Sequence, residues 1–155
     1  VPYQLDARRC LSYLTIELKG AIPEEFRPAL AESGNRIYGC DICQEVCPFN
    51  LRRSAPTEEA AYQSRAVTET PQLTELLLLS EDEFRVRFKG SAVKRAKRRG
   101  LLRNVAVALA QSDAPEAVAA LEYAAANDPE PLVREHAAWA LQQVKTHLNG
   151  SLNEQ

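Results

Sequence analysis

The sequence predicts a mainly α-helical protein with a short cysteine-bearing segment ahead of a helical domain. Three observations carry this reading. Apolar residues in the last third recur at three- and four-residue spacing, the breaks between these stretches are Asp/Pro turns, and all four cysteines fall within the first 47 residues.

Taken in order, Asp6 is a suitable N-cap for a first helix, with Leu11, Leu14 and Ile16 as its apolar positions and Gly20 as its stop, which places Cys10 in the opening turns. Pro23, Pro28, Gly34 and Gly39 then restrict the chain to a short helix around Glu24 to Glu32 between loops. From Leu51 to Thr70 the chain is polar and aperiodic, as a linker would be. Thr70-Pro71 suits an N-cap followed by proline at the first helical position, opening a helix through Leu73, Leu76, Leu77 and Leu79. Ser80-Glu81-Asp82-Glu83 offers a capping box, with Phe84 and Phe88 one turn apart on the helix it starts. Ser91 can cap a further helix ending near Gly100.

Beyond Gly100, three apolar faces follow: Leu102, Val105, Ala106 and Leu109; Val118, Leu121 and Ala125; Val133, Ala137, Ala140, Leu141 and Val144. The breaks are Ser112-Asp113-Ala114-Pro115 and Asn127-Asp128-Pro129-Glu130-Pro131. Alanine-rich helices joined by such turns suit HEAT-type repeats, of which about one and a half would fit. The expected organisation is a partial ferredoxin-type segment over 1–50, a linker over 51–72, a HEAT-like helical domain over 73–149 and a frayed tail over 150–155.

Four thiols with one C-x2-C pair in a helix-forming chain of 155 residues do not suit a small disulfide scaffold, so a reducing cytoplasmic setting is expected. The longest apolar run, Val105 to Ala110, is too short to cross a bilayer. The net charge of −2 conceals a strong asymmetry. Residues 85–112 carry nine basic side chains and no acidic one, which points to a polyanionic partner.

Cys40, Cys43 and Cys47-Pro48 reproduce the last three positions of the bacterial C-x2-C-x2-C-x3-C-P run, whose final cysteine binds the other cluster of a two-cluster pair. On that logic Cys40 and Cys43 share one 4Fe-4S cluster with Cys10, and Cys47 serves a second. Neither ligand set is complete. With Val at position 1 and no methionine, this leads to the expectation of a C-terminal part of a larger redox protein. A single tetrahedral zinc held by all four thiolates is the rival, since structural zinc sites also use C-x2-C pairs, and a disulfide from Cys10 to one of the others is a third possibility.

In the basic block, Lys89, Lys94, Arg95, Lys97, Arg98, Arg99 and Arg103 suit a phosphate backbone: each cation releases counterions, and arginine adds planar bidentate hydrogen bonds. Few aromatics interleave, so base stacking is not expected there. His136 reads as a packed or half-exposed residue and Trp139 as a core or inter-repeat contact. No phosphate loop, triad or paired-carboxylate motif stands out.

Four stretches together resemble the C-terminal half of epoxyqueuosine reductase. They are Leu5-Asp6-Ala7-Arg8-Arg9-Cys10-Leu11-Ser12-Tyr13-Leu14-Thr15-Ile16-Glu17; Gly34 to Asn50 with its cysteines; the block from Lys94 to Asn104; and Val133-Arg134-Glu135-His136-Ala137-Ala138-Trp139-Ala140-Leu141. The resemblance implies a cobalamin-dependent enzyme with two 4Fe-4S clusters; a monomer in the cytoplasm, supplied by an electron donor protein, is the accompanying expectation. Such an enzyme reduces epoxyqueuosine to queuosine in a tRNA anticodon loop. It also implies that Cys10, Cys40 and Cys43 ligate one cluster with an upstream cysteine, that Cys47 ligates its partner, that Ser12 lies near cobalamin, and that the basic block holds tRNA. In that family the cobalamin-binding domain, the proton donor and four further cysteines lie N-terminal to the part seen here, so this chain alone is expected to be inactive. A zinc-containing RNA-binding module and a HEAT-type interaction scaffold are the alternatives.

Overall fold

Asp6 caps as expected, its carboxylate accepting from the Arg8 N–H at 3.1 Å, but the helix it opens lasts only one 3-10 turn, Ala7–Arg9. A computed structural model describes residues 4–34, 36–63 and 71–152, and among these there is no β-strand. Cys10 is extended, and the chain then winds into a π-helical turn, Tyr13–Glu17, closed by the Leu18 N–H donating to the Tyr13 carbonyl at 3.0 Å. The continuous helix expected from Asp6 is therefore two short pieces hinged at Cys10. A 3-10 turn, Glu24–Phe26, leads into α1 (Arg27–Ala31), close to the helix expected there.

The cysteine run forms α2 (Ile42–Glu45) and α3 (Pro48–Arg53). Pro48 follows Cys47 at the first position of α3, where a missing N–H is harmless. Thus α3 continues past residue 50, where the linker was expected to start. A 3-10 turn, Ala60–Tyr62, follows. The expected N-cap Thr70 lies outside the described residues, as do residues 153–155 of the expected tail.

α4 (Leu73–Leu77) and α5 (Glu81–Arg87) come next. The capping box is formed: Ser80 Oγ accepts from the Glu83 N–H at 3.3 Å, and Glu83 Oε2 accepts from the Ser80 N–H at 2.8 Å. Phe84 and Phe88 pack in a tilted arrangement, ring centroids 5.2 Å apart and planes at 50°. Ser91 caps a 3-10 turn, Ala92–Arg95, rather than a helix to Gly100. Lys97 then takes φ 61°, a left-handed conformation costing about 1 kcal/mol for a side-chain-bearing residue, and α6 (Lys97–Leu109) starts in a new direction with Gly100 inside it. The break removes the straight cationic stripe that a single helix would have given.

α6 is the centre of the fold. The sequence suggested one apolar face, yet Leu101, Leu102, Val105, Ala106, Val107, Ala108 and Leu109 are all buried, because α1, α4 and the π-turn cover one side and α8 (Pro131–Leu152) the other. Each such leucine or valine contributes about 1.5–3 kcal/mol by leaving water. α7 (Pro115–Asn127) packs on α8 through Ala117, Ala120, Leu121 and Ala124 against Val133, Ala137, Ala140 and Val144, close to the expected faces. Small alanines let the two helices approach closely. α8 continues through residue 152, beyond the start of the expected tail. No helix among the described residues is long and apolar enough to cross a membrane.

Polar side chains fasten the N-terminal segment to these helices. Buried His136 accepts the Ile22 N–H at Nε2 (3.1 Å) while Nδ1 faces the Leu132 carbonyl at 2.8 Å, which sets the Nδ1–H tautomer. Arg27 reaches from Ile22 O (2.8 Å) to Glu135 (2.5 Å), its guanidinium 5.8 Å from the Trp139 ring centroid. His136 and Trp139 are accordingly packing residues, as their pattern suggested.

Candidate functional site

All four cysteines are free thiols: Cys10, Cys40 and Cys47 are half-buried and Cys43 is exposed. Cys10 lies between the 3-10 turn and the π-turn, Cys40 follows Gly39, Cys43 is on α2, and Cys47 caps α3. Gly39 has φ 80°, a conformation that glycine adopts without strain, and it turns the chain into Cys40. The donor set therefore fits thiolate ligation of iron. Among the described residues no three His, Cys, Asp or Glu side chains gather to hold one metal ion.

The helices that carry Cys43 and Cys47 also expose apolar side chains. Val46 is 66% exposed, Phe49 70% and Leu51 71%, with Ile42 beside them. Four large apolar side chains exposed within ten residues of the candidate ligands are a composition suited to packing against further protein.

The carbonyls of the π-turn's end and of the segment after it lack intrahelical partners, and α6 supplies donors to several of them. Arg103, fully buried, donates to the carbonyls of Leu14 (2.7 Å), Leu18 (3.0 Å) and Gly20 (2.5 Å) and to Asn104 Oδ1 (3.1 and 3.0 Å). Burial, with Arg99 as a smaller contribution, pulls its pKa down to about 10, which leaves it charged at neutral pH. Asn104 Nδ2 donates to the carbonyls of Thr15 (2.8 Å) and Ile37 (2.9 Å).

The seven candidate phosphate-binding cations do not share one surface. Arg103 is turned into the core, and Arg98 is buried in a bidentate pair with Asp128 (3.1 and 2.6 Å) while its Nε donates to Leu79 O. Both leave the exposed patch, because each guanidinium is buried and spent on acceptors inside the protein: Arg98 on Asp128 and the Leu79 carbonyl, Arg103 on three backbone carbonyls and Asn104. Lys89, Lys94, Arg95 and Lys97 are exposed and Arg99 is half-buried. Lys94, Lys97 and Arg99 line a cleft of about 600 Å³ together with Arg85, Phe84, Glu81, Glu130 and the edge of the otherwise buried Arg98. Arg95 is paired with Glu17 at 2.7 Å, and the Tyr38 hydroxyl donates to Ala92 O, so the basic turn rests on the cysteine-bearing segment. Burial raises the Tyr38 pKa. Ser12 is half-buried just before the π-turn. Sequence reasoning missed Thr15 and the inward role of Arg103-Asn104. An amide directly after an arginine in the middle of an apolar helix was the available signal.

Residues 1–50 match the family described as 4Fe-4S double cluster binding domain, and residues 91–152 match HEAT repeats. The chain is 50% identical to epoxyqueuosine reductase of Shewanella oneidensis over 92% of its own length and 36% of that protein's. It is 47% identical to that of Escherichia coli K12 over 99% of its length and 39% of that protein's. A crystal structure of epoxyqueuosine reductase with a tRNA-Tyr epoxyqueuosine-modified stem loop superposes with a TM-score of 0.80 at 36% identity, covering 92% of this chain and 37% of that one. The Bacillus subtilis enzyme gives a TM-score of 0.78 at 36% identity, with the same coverage of both chains. The chain thus spans 36–39% of the length of these curated relatives. In sequence and in fold it corresponds to the C-terminal part of epoxyqueuosine reductases.

Proposed function

We propose that this chain acts as the C-terminal part of an oxidoreductase that reduces epoxyqueuosine to queuosine in the anticodon loop of tRNA. Cys10, Cys40 and Cys43 hold one 4Fe-4S cluster and Cys47 contributes to a second, with the remaining thiolates supplied by polypeptide outside these residues. When bound, the clusters and cobalamin supply the electron transfer and reducing chemistry. The residues seen here bind and orient. Ser12 would lie near the cobalamin, which the rest of the protein would chiefly hold. Lys89, Lys94, Arg95, Lys97 and Arg99 neutralise tRNA phosphates, and without the buried Arg98 and Arg103 they form a smaller patch than the sequence suggested. The protein works in the cytoplasm as a monomer that receives electrons from a donor protein.

The observation that carries this reading is the combination of four free thiols in two-cluster spacing with an exposed apolar surface around Cys43 and Cys47. A zinc module with four ligands of its own needs no such surface. The test is conversion of epoxyqueuosine-bearing tRNA by the full-length protein, reconstituted anaerobically with both clusters, cobalamin and a reductant. Nucleoside analysis is expected to reveal queuosine. No conversion by fully loaded protein overturns the assignment.

A further inference from the structure

Cys10 and Cys40 are 30 residues apart in the chain, and something must fix the distance between them if both are to serve one cluster. We infer that Thr15 is the positioning residue. Its side chain is 0% exposed, and its hydroxyl stands between the two ligand-bearing segments. Oγ1 donates to the carbonyl of Leu11, the residue after Cys10, at 2.8 Å, with a longer approach of 3.4 Å to the Ser12 carbonyl. The same oxygen accepts the N–H of Gly39, the residue before Cys40, at 3.0 Å. One hydroxyl thus gives its proton to one segment and a lone pair to the other, and no other side chain can do both in that volume except serine.

Asn104 holds the arrangement from behind. Its Nδ2 donates to the Thr15 carbonyl at 2.8 Å and to the Ile37 carbonyl at 2.9 Å, two residues before Gly39, so α6 fixes both segments with one amide. Arg103 orients that amide by donating twice to Asn104 Oδ1. Buried polar networks of this kind hold their geometry because each unmade bond is costly. The role assigned to Thr15 is therefore to set ligand spacing, with Asn104 setting the orientation of the backbone around it.

This inference rests on the cluster assignment proposed above, and the experiment separates the two. Full-length wild-type protein, Thr15→Val, Thr15→Ser and Val133→Ala are purified anaerobically. Iron and sulfide are counted, the reduced clusters are examined by electron paramagnetic resonance, and iron release to a chelator is timed. Wild-type protein without iron and sulfide overturns both ideas. With loaded wild type, Thr15→Val is expected to release part of its iron about tenfold faster and to shift the signal of one cluster only, as loss of hydrogen bonds worth about 1.4 kcal/mol implies. Thr15→Ser keeps the hydroxyl, loses one methyl, and is expected within about twofold of wild type. Val133→Ala loosens the helical core away from the cysteines and is expected to lower thermal stability without faster iron release. Wild-type release from Thr15→Val, tenfold faster release from Thr15→Ser, or equal acceleration in Val133→Ala overturns the role assigned to Thr15 alone.

Discussion

Replacing Arg103 by methionine separates an inward-facing cation from its outward-facing neighbours in one basic block. The substitution deletes donors to the carbonyls of Leu14, Leu18 and Gly20 and to Asn104 Oδ1. Gly20 is exposed and Leu18 half-exposed, so water can take over at their carbonyls, whereas the Leu14 carbonyl and the Asn104 amide oxygen belong to buried residues. Two stranded acceptors at about 1–3 kcal/mol each give about 2–6 kcal/mol. Removing a buried cation in favour of an apolar side chain of similar reach offsets part of this, leaving about 3 kcal/mol. Lys94→Met, on an exposed position of the same block, is expected to change stability by no more than about 0.5 kcal/mol and to weaken tRNA binding. The assay is urea unfolding of the full-length protein together with anticodon stem-loop affinity at several salt concentrations. An unchanged unfolding midpoint in Arg103→Met, with the same shallower salt dependence as in Lys94→Met, would refute the reasoning and return Arg103 to the surface.

Arg98→Met breaks a buried bidentate pair with Asp128 and is expected to cost about 3–5 kcal/mol in urea unfolding; a cost under 1 kcal/mol contradicts the burial of that pair. His136 is held neutral, burial pulling its pKa from 6.5 down to about 4. Its contribution is therefore complete above about pH 6.5 and is lost as pH falls through about 4, a change of about 3 kcal/mol. The unfolding free energy of His136→Gln should lack this part of the acid dependence, and identical pH profiles in both proteins would dismiss it. Changing Lys94, Lys97 and Arg99 together to glutamine is expected to flatten log affinity against log salt by about one unit per lost phosphate contact; an unaltered slope removes these cations from the RNA interface.

The helical half was legible because its signals are local. Capping at Ser80, the Asp/Pro breaks and the alanine-rich faces of α7 and α8 each depend on a few neighbouring residues, and each is present. The cysteine spacing was equally readable, since it is a local pattern. What escaped was set by distant partners. The block from Lys94 to Arg103 reads as a uniform cationic surface, yet Asp128 claims Arg98 from 30 residues away and the π-turn claims Arg103 from more than 80. The π-turn itself looks like ordinary helix in sequence, and only the donors of Arg103 and Asn104 make its displaced carbonyls tolerable. Burial of α6 on all sides followed from α1 and the π-turn folding back, which no periodicity within α6 records.

The central claim is that these cysteines are shares in two separate clusters. Elemental analysis for iron and zinc, with Mössbauer spectroscopy of the iron, on anaerobically purified full-length protein tests it directly, comparing wild type with Cys10→Ser and Cys47→Ser. The account predicts about eight irons in wild type, with Cys10→Ser perturbing one cluster and Cys47→Ser the other. One zinc ion in wild-type protein, lost equally in both variants, would contradict it.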